Sequence, residues 1–344
     1  MTFSFSDYLL RLKNRNNSSF SLITGNQSAD CDSVFSSLLG GFYLSSMENL
    51  YIPVISVKYR EIFWRKDLIK ILNDHSIDPK LFLYIDEVNG IIEKAKGVVL
   101  VDHNAPFHPF SKYSDMITAI YDHHEMENNN SKIEIVLSNS TSCITIFYNL
   151  LKQKNLNCNF VASLTLHTMY LDSFGFSDKF KKYNDDDFVL YKLLLKSLSI
   201  KPTSLKAILD LRFDNFGLDC EALILKDYKS YNLNSAKVGS STITNTLCRL
   251  EIDINKFNNS VQKIMSDENL NFYFGLMFAR DDKRELFFAF RNTPKKELLM
   301  CLIYRFGLKV LRLGVNCILF SQKDLYISRK KMMPIVLELI DSNS

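Results

Sequence analysis

"SFSLITGNQSADCDSVFSSLLGGFYL", residues 19–44, sets an apolar β-rich run, a loop of small polar residues and a second apolar run end to end. The first part, 19–25, reads as a short buried strand, and 33–46 as a buried helix. Between them "GNQSADCDS", 25–33, places Asp30 and Asp32 two residues apart. A helix N-terminus needs one such acceptor, and a second carboxylate beside it repels the first. Carboxylates crowded after a strand are the ordinary way to hold a hard cation.

The same design returns along the first half. "YIPVISV" (51–57) is β-rich, and "EIFWRKDLIKILN" (61–73) has helical spacing. "GVVLVDHN" (97–104) and "MITAIYDHHE" (116–125) are short apolar runs that end in acidic and imidazole side chains. Short buried strands alternating with helices predict a parallel sheet with helices on both faces, and its ligands gather beyond the strands' carboxyl ends. Helical patterns dominate from 141 to about 211, and "MYLDSFGFSDK" (169–179) puts Asp172 where one of them ends. Past Pro202 come strand-like segments at 220–226, 236–243, 271–279, 285–291 and 315–320, with helices at 296–308 and from 329. The expected fold is therefore two-domain α/β: 1–197, a hinge over 198–209, and a smaller mixed α/β domain over 210–344.

Bulk composition excludes several classes. Hydrophobic residues at 47% and charged residues at 23% are ordinary for a globular chain, and no apolar run has the length of a membrane span. The N-terminus lacks a secretory layout and reads as a short amphipathic helix. The seven cysteines are scattered with no CxxC pair, which sets aside zinc-finger and disulfide scaffolds and suits free thiols in a reducing cytoplasm. Net charge is +4, unevenly divided: residues 201–344 carry 22 Lys+Arg against 16 Asp+Glu, and the first 200 carry 20 against 22. An acidic half joined to a basic half suits a metal site working on an anion.

Asp30 and Asp32, Asp102, the Asp122-His123-His124 triplet and Asp172 all follow regular segments. On one rim of a parallel sheet they would supply enough carboxylate and imidazole for two divalent cations. "DHH" at 122–124, with "SADCDS" and "VDHN" upstream, resembles the DHH phosphoesterase superfamily. "LKDYKSY" (225–231), "VGSS" (238–241) and "SRKK" (328–331) are similar to its DHHA2 branch, in the same order. That branch holds family II inorganic pyrophosphatases, eukaryotic cytosolic exopolyphosphatases and prune-type proteins.

The resemblance implies an active site in a cleft between the two domains. It gives Asp30 and Asp102 to one metal and Asp32, Asp102, His123 and Asp172 to the other, with Asp102 bridging. His124 would face the substrate phosphate, and Lys229, Arg329 and Lys330 would bind phosphates. Ser328 reads as the N-cap of the helix that begins with Arg329. The pyrophosphatases open their first motif with Gly-His; here it is Gly25-Asn26, as in the exopolyphosphatase branch. An amide oxygen at Asn26 would favour Mg²⁺, with Mn²⁺ or Co²⁺ as substitutes. "FWRKD" (63–67) also resembles the exopolyphosphatases, where an arginine approaches the site, which nominates Arg65. The implied function is metal-dependent release of terminal orthophosphate from inorganic polyphosphate by a cytoplasmic monomer. The rivals are a pyrophosphatase, a nucleotide or oligonucleotide phosphodiesterase, and a non-enzymatic interaction protein. No membrane partner is expected. Nucleic acid is disfavoured, because no aromatic side chains interleave with a basic run.

Overall fold

Strand and helix alternate through the first half of the chain in the computed structural model. It describes residues 4–15, 19–126, 133–156, 158–179, 181–233, 236–279, 283–294, 296–323 and 329–342. Two units emerge, Met1–Arg212 and Phe213–Ser344.

The first unit opens with α1 (Phe5–Lys13), fixed by a capping box in which Ser4 and Asp7 satisfy each other's backbone N–H groups. Then follow β1 (Phe20–Thr24), α2 (Cys31–Leu44), β2 (Leu50–Ile55), α3 (Lys66–Asp74), β3 (Leu83–Tyr84), β4 (Val98–Val101), β5 (Ile117–Asp122) and β6 (Glu134–Leu137). Four helices complete it: α4 (Ile144–Gln153), α5 (Asn159–Asp172), α6 (Asp185–Ser197) and α7 (Pro202–Arg212). The strands form one six-stranded sheet in the order β3-β2-β1-β4-β5-β6. Every neighbouring pair is parallel. All of "VVLV" in β4 is buried, as a parallel strand covered on both faces requires.

Strand order reverses between β1 and β4, so the loops leaving these two strands separate at their carboxyl ends and open a crevice. Those loops carry Asp30, Asp32 and Asp102. The turn after β1 is tight. A Cβ on Gly25 would lie 2.5 Å from the Cβ of Ser33, so glycine is what lets the loop fold against the start of α2.

The second unit contains α8 (Cys220–Leu225), β7 (Tyr228–Asn232), β8 (Lys237–Thr244), α9 (Ile254–Asp267), β9 (Phe272–Phe278), β10 (Arg284–Phe290), α10 (Lys296–Phe306), β11 (Leu308–Gly314), β12 (Cys317–Gln322) and α11 (Arg329–Ser342). Its sheet runs β11-β12-β10-β9-β8-β7; only β8 and β9 pair in parallel, so it is mixed. Alternation along β9 feeds both faces. Tyr273 and Met277 join the core under α9, and Phe274 and Leu276 join the core under α10 and α11.

Three readings of the sequence change. The stretch 220–226 is the helix α8 and not a strand, because Asp219 accepts from the Ala222 N–H at 2.8 Å and caps it. Residues 308–314 are the strand β11, because Gly307, at φ +57°, ends α10 one residue earlier. The proposed hinge is largely α7. Pro202 is its first helical residue, a position that loses nothing by lacking an N–H, and Leu205 and Ile208 are buried in the first unit's core. The division therefore falls after Arg212 and not through 198–209.

If α7 is part of the first unit, Leu205→Ala should cost about 2–4 kcal/mol, as a truncation in a packed core does. Denaturant unfolding measures this. A loss below about 0.5 kcal/mol, the size of a surface change, would return the segment to the role of a hinge.

Candidate metal centre

The element ends at the crevice deliver acidic and imidazole groups, and several of these are held by neighbours from another segment. Asp102 follows β4 with φ at +59°, a strained conformation for a residue other than glycine and one that acidic side chains tolerate better than most. Its Oδ2 accepts from Asn26 Nδ2 and from Ser33 Oγ, both at 2.6 Å. Its Oδ1 lies 3.2 Å from His123 Nε2. Asp32, almost fully buried, accepts from the backbone N–H groups of Cys143 (2.7 Å) and Ile144 (2.9 Å) and from Ser36 Oγ (3.1 Å). The start of α4 thus grips a carboxylate from α2. Its Oδ2 is 3.7 Å from His123 Nε2.

His123 Nδ1 is 3.0 Å from the Ser140 carbonyl, which can only accept, so that nitrogen carries the proton. Nε2 then faces two carboxylates. It must either be protonated, as an imidazolium, or direct a lone pair at a cation. Two ligands of one octahedral ion, each about 2.1 Å from it, stand about 3 Å apart, close to the 3.2 Å between Nε2 and Asp102 Oδ1.

Asp122 plays a different part. It is fully buried; Oδ1 accepts from the N–H groups of His123 and His124 and meets His124 Nδ1 at 2.7 Å, and Oδ2 accepts from Asn104 Nδ2 at 2.7 Å. Asp102, Asp122, His123 and His124 form the compact metal-competent group among the described residues. Within it Asp122 orients His124, whose Nε2 points away from the grip.

Asp172, the last residue of α5, has its Oδ2 buried with no hydrogen-bond partner among the described residues, as has Ser142 Oγ. An orphaned carboxylate oxygen is costly unless a cation reaches it. Burial and then the Asp30 carboxylate push Asp172 up to about 7, with Arg212 working the other way. Burial also drives Asp32 well up, and Asp102 and Asp172 add to it. Asp102 moves down despite its burial, because the His123 and His124 rings favour its charged form. Asp30 is half-buried and caps α2, its Oδ1 accepting from Ser33 N at 3.1 Å. The donor set of carboxylates and one imidazole fits a divalent cation of the Mg²⁺ or Mn²⁺ type.

Two nominated residues, Asn26 and Arg65, brace the loop after β1. Asn26 does not offer its amide oxygen to the site. Oδ1 accepts from the Ser28 N–H (2.8 Å) and hydroxyl (2.7 Å), and only Nδ2 faces Asp102. The backbone donor and the carboxylate acceptor suit that orientation, in which Asn26 braces Asp102. Arg65 is buried and donates to the Ser28 carbonyl, bracing the same loop from the side.

In the second unit Lys229, on β7, pairs across the ladder with Ser240. Arg329, at the start of α11, donates to the Asp227 carbonyl (2.6 Å) and carboxylate (2.7 Å) and reaches the Ser240 carbonyl at 3.4 Å. The two basic residues therefore share a corner of that unit. The Lys330 side chain and Ser328 lie outside the described residues. Sequence reasoning missed Ser33, Asn104, Ser140, Asp227 and Arg212; all except Ser140 and Arg212 lie inside motifs it had quoted.

Comparison with known proteins places these features. Residues 21–171 match the DHH family N-terminal domain, and residues 206–339 match the DHHA2 domain. Exopolyphosphatase PRUNE1 of Rattus norvegicus is 25% identical over 239 residues, covering 64% of this chain and 52% of that protein. The Homo sapiens protein of the same name is 25% identical over 242 residues, with the same coverage. The chain thus spans about half the length of the curated relatives it matches. A Methanococcus jannaschii structure assigned to the family II inorganic pyrophosphatases superposes with a TM-score of 0.68 at 17% identity, over 93% of this chain and 99% of that one, and so shares the fold.

Asp172 supplies a pH test. A carboxylate that ionises near 7 when folded and near 3.9 when unfolded holds its proton longer in the folded state, so its contribution to stability falls as pH rises from about 4 to 7. Asp172→Asn cannot ionise. Without metal it should melt a few degrees above the wild type at pH 8, with the gap closing towards pH 5; thermal melts in chelator that show no gap at pH 8 would remove the crowding argument.

Proposed function

The chain belongs to the DHH phosphoesterase superfamily, in the branch that carries a DHHA2 domain, and on that premise we propose that it releases terminal orthophosphate from inorganic polyphosphate. The observation that carries this reading is the convergence of Asp32 Oδ2, Asp102 Oδ1 and His123 Nε2 at the sheet's switch point, with the open Asp172 Oδ2 electrostatically coupled to them. A phosphoanhydride resists water because its negative oxygens repel hydroxide. A bound pair of divalent ions supplies a hydroxide-like water at neutral pH and neutralises the attacked phosphoryl group.

The chain's own residues do the rest. Asp102, held rigid by Asn26 and Ser33 with Oδ1 left open, would serve both ions. Asp30 would add to one, and Asp32, His123 and Asp172 to the other. His124, turned by Asp122 with its Nδ1–H on that carboxylate, would as an imidazolium donate from Nε2 to a phosphate oxygen of the substrate. Lys229, Arg329 and Lys330 bind the phosphates that do not react, Arg329 with its fork already ordered by Asp227. A donor set of carboxylates with one imidazole favours Mg²⁺, with Mn²⁺ as a working substitute. The free cysteines suit a reducing cytoplasm. Among the described residues no helix is long and apolar enough to cross a membrane.

Phosphate release from pyrophosphate, tripolyphosphate and long polyphosphate, each with Mg²⁺ and with Mn²⁺, tests the reading. Tripolyphosphate and longer chains should be cleaved faster than pyrophosphate. The reverse order selects the pyrophosphatase, and no release with any divalent metal rejects the hydrolase. Asp102→Ala should abolish turnover, because one carboxylate serves both ions. Arg329→Ala should raise KM by roughly 10-fold or more while changing kcat little, since contacts to non-reacting phosphates bind substrate and transition state alike.

A further inference from the structure

Arg212 closes α7 and is the last residue of the first unit. No motif in the sequence singles it out. Its Nη1 donates to the Leu171 carbonyl at 2.8 Å and stands 3.8 Å from Asp172 Oδ1. Its guanidinium lies 5.6 Å from the centre of the Phe174 ring. Burial works against its charge, yet the Asp172, Asp67 and Asp30 carboxylates more than offset this and hold it firmly protonated.

The geometry answers a difficulty at the end of α5. A helix C-terminus is the negative end of the peptide dipoles, and Asp172 sits there with its carboxylate among other carboxylates. Left alone, that side chain would turn towards solvent. Arg212 satisfies the carbonyl just before it and stands at ion-pair distance from Oδ1, the oxygen other than the orphaned Oδ2.

We propose that Arg212 is the positioning residue for Asp172: by capping α5 and gripping Oδ1, it presents Oδ2 to the metal. This rests on the reading of Asp172 as a metal ligand, and it concerns metal binding alone. The guanidinium could instead occupy part of the cation's place. Magnitude separates the two ideas. Losing the partner that orients a metal ligand usually weakens binding by about 10–100-fold, whereas removing a competing positive charge strengthens it.

Mn²⁺ binding to the full chain, measured by calorimetry without substrate, tests this in wild type, Arg212→Met, Arg212→Lys, Asp172→Asn and the Arg212→Met/Asp172→Asn double variant. Arg212→Met should weaken Mn²⁺ binding about 10-fold or more, and Arg212→Lys should recover part of it, since lysine keeps the charge without the fork. In the Asp172→Asn background, Arg212→Met should change binding less than about 2-fold, because the group it acts through is gone. Tighter binding in Arg212→Met, or an equal loss in both backgrounds, overturns the proposal. Should Arg212→Met alone fail to fold, the double variant, which removes both partners, and Arg212→Lys carry the comparison. No substrate enters the measurement, so a failure to cleave phosphoanhydrides leaves this result standing, and the converse also holds.

Discussion

Buried like charges at the carboxyl ends of β1, β4 and β5 are the constraint on which the first unit depends. Asp32, Asp102 and Asp122 are each at most 2% exposed, Asp172 lies close enough to Asp32 to disturb its ionisation, and Asp102 disturbs that of Asp172. Carboxylates that close cannot all ionise in a dry site unless cations or donors answer them. The fold answers with donors first. Two backbone amides at the start of α4 take Asp32, an amide and a hydroxyl take Asp102, and Asn104 with two backbone N–H groups takes Asp122. What these donors leave over is Oδ1 of Asp102, Oδ2 of Asp172 and one ring nitrogen on His123, with Asp32 Oδ2, which carries a single donor, beside them. A cation completes what the polypeptide leaves unpaired.

This arrangement explains why the motifs contain more than ligands. "GNQSADCDS" supplies Asp30 and Asp32, and also Asn26 and Ser33, which hold Asp102 from another loop. "VDHN" supplies Asp102 and also Asn104, which holds the aspartate of the "DHH" triplet. That aspartate in turn sets the His124 ring. Each short motif pairs a group for the site with a brace for the next motif along the rim, so the loops fix one another without a lid or a disulfide.

Such pairing also sets what could be read from sequence. The apolar run in β4 is fully buried and those in β1 and β5 are buried at all but one position each, and their pattern gave the parallel sheet and the placing of Asp30, Asp32, Asp102 and Asp122 at its rim. Strands β3, only two residues long, and β6, with every residue at least partly exposed, carry no such pattern. In the second unit the reading of 220–226 as a strand missed that Glu221, Ala222, Leu223 and Leu225 are helix formers and that Asp219 caps them. The orientation of Asn26 depends on a local contact with Ser28 that no residue type announces. Arg212 was invisible for a different reason, since a basic residue at a helix end is common and its partner lies 40 positions earlier.

Chain order gives that long separation a physical consequence. Asp32 is held by the start of α4, His123 by the Ser140 carbonyl, and Asp172 by the last residue of α7. The sheet can pair its strands through local crossovers, but the braces on these three groups come from segments made after the last strand. Without those braces, the carboxylates gathered at the crevice would repel one another. Protonation or a divalent ion is the available relief from that repulsion, and both favour the compact form. Metal binding and the last packing steps of α4, α5 and α7 draw on the same carboxylate oxygens, so each should strengthen the other.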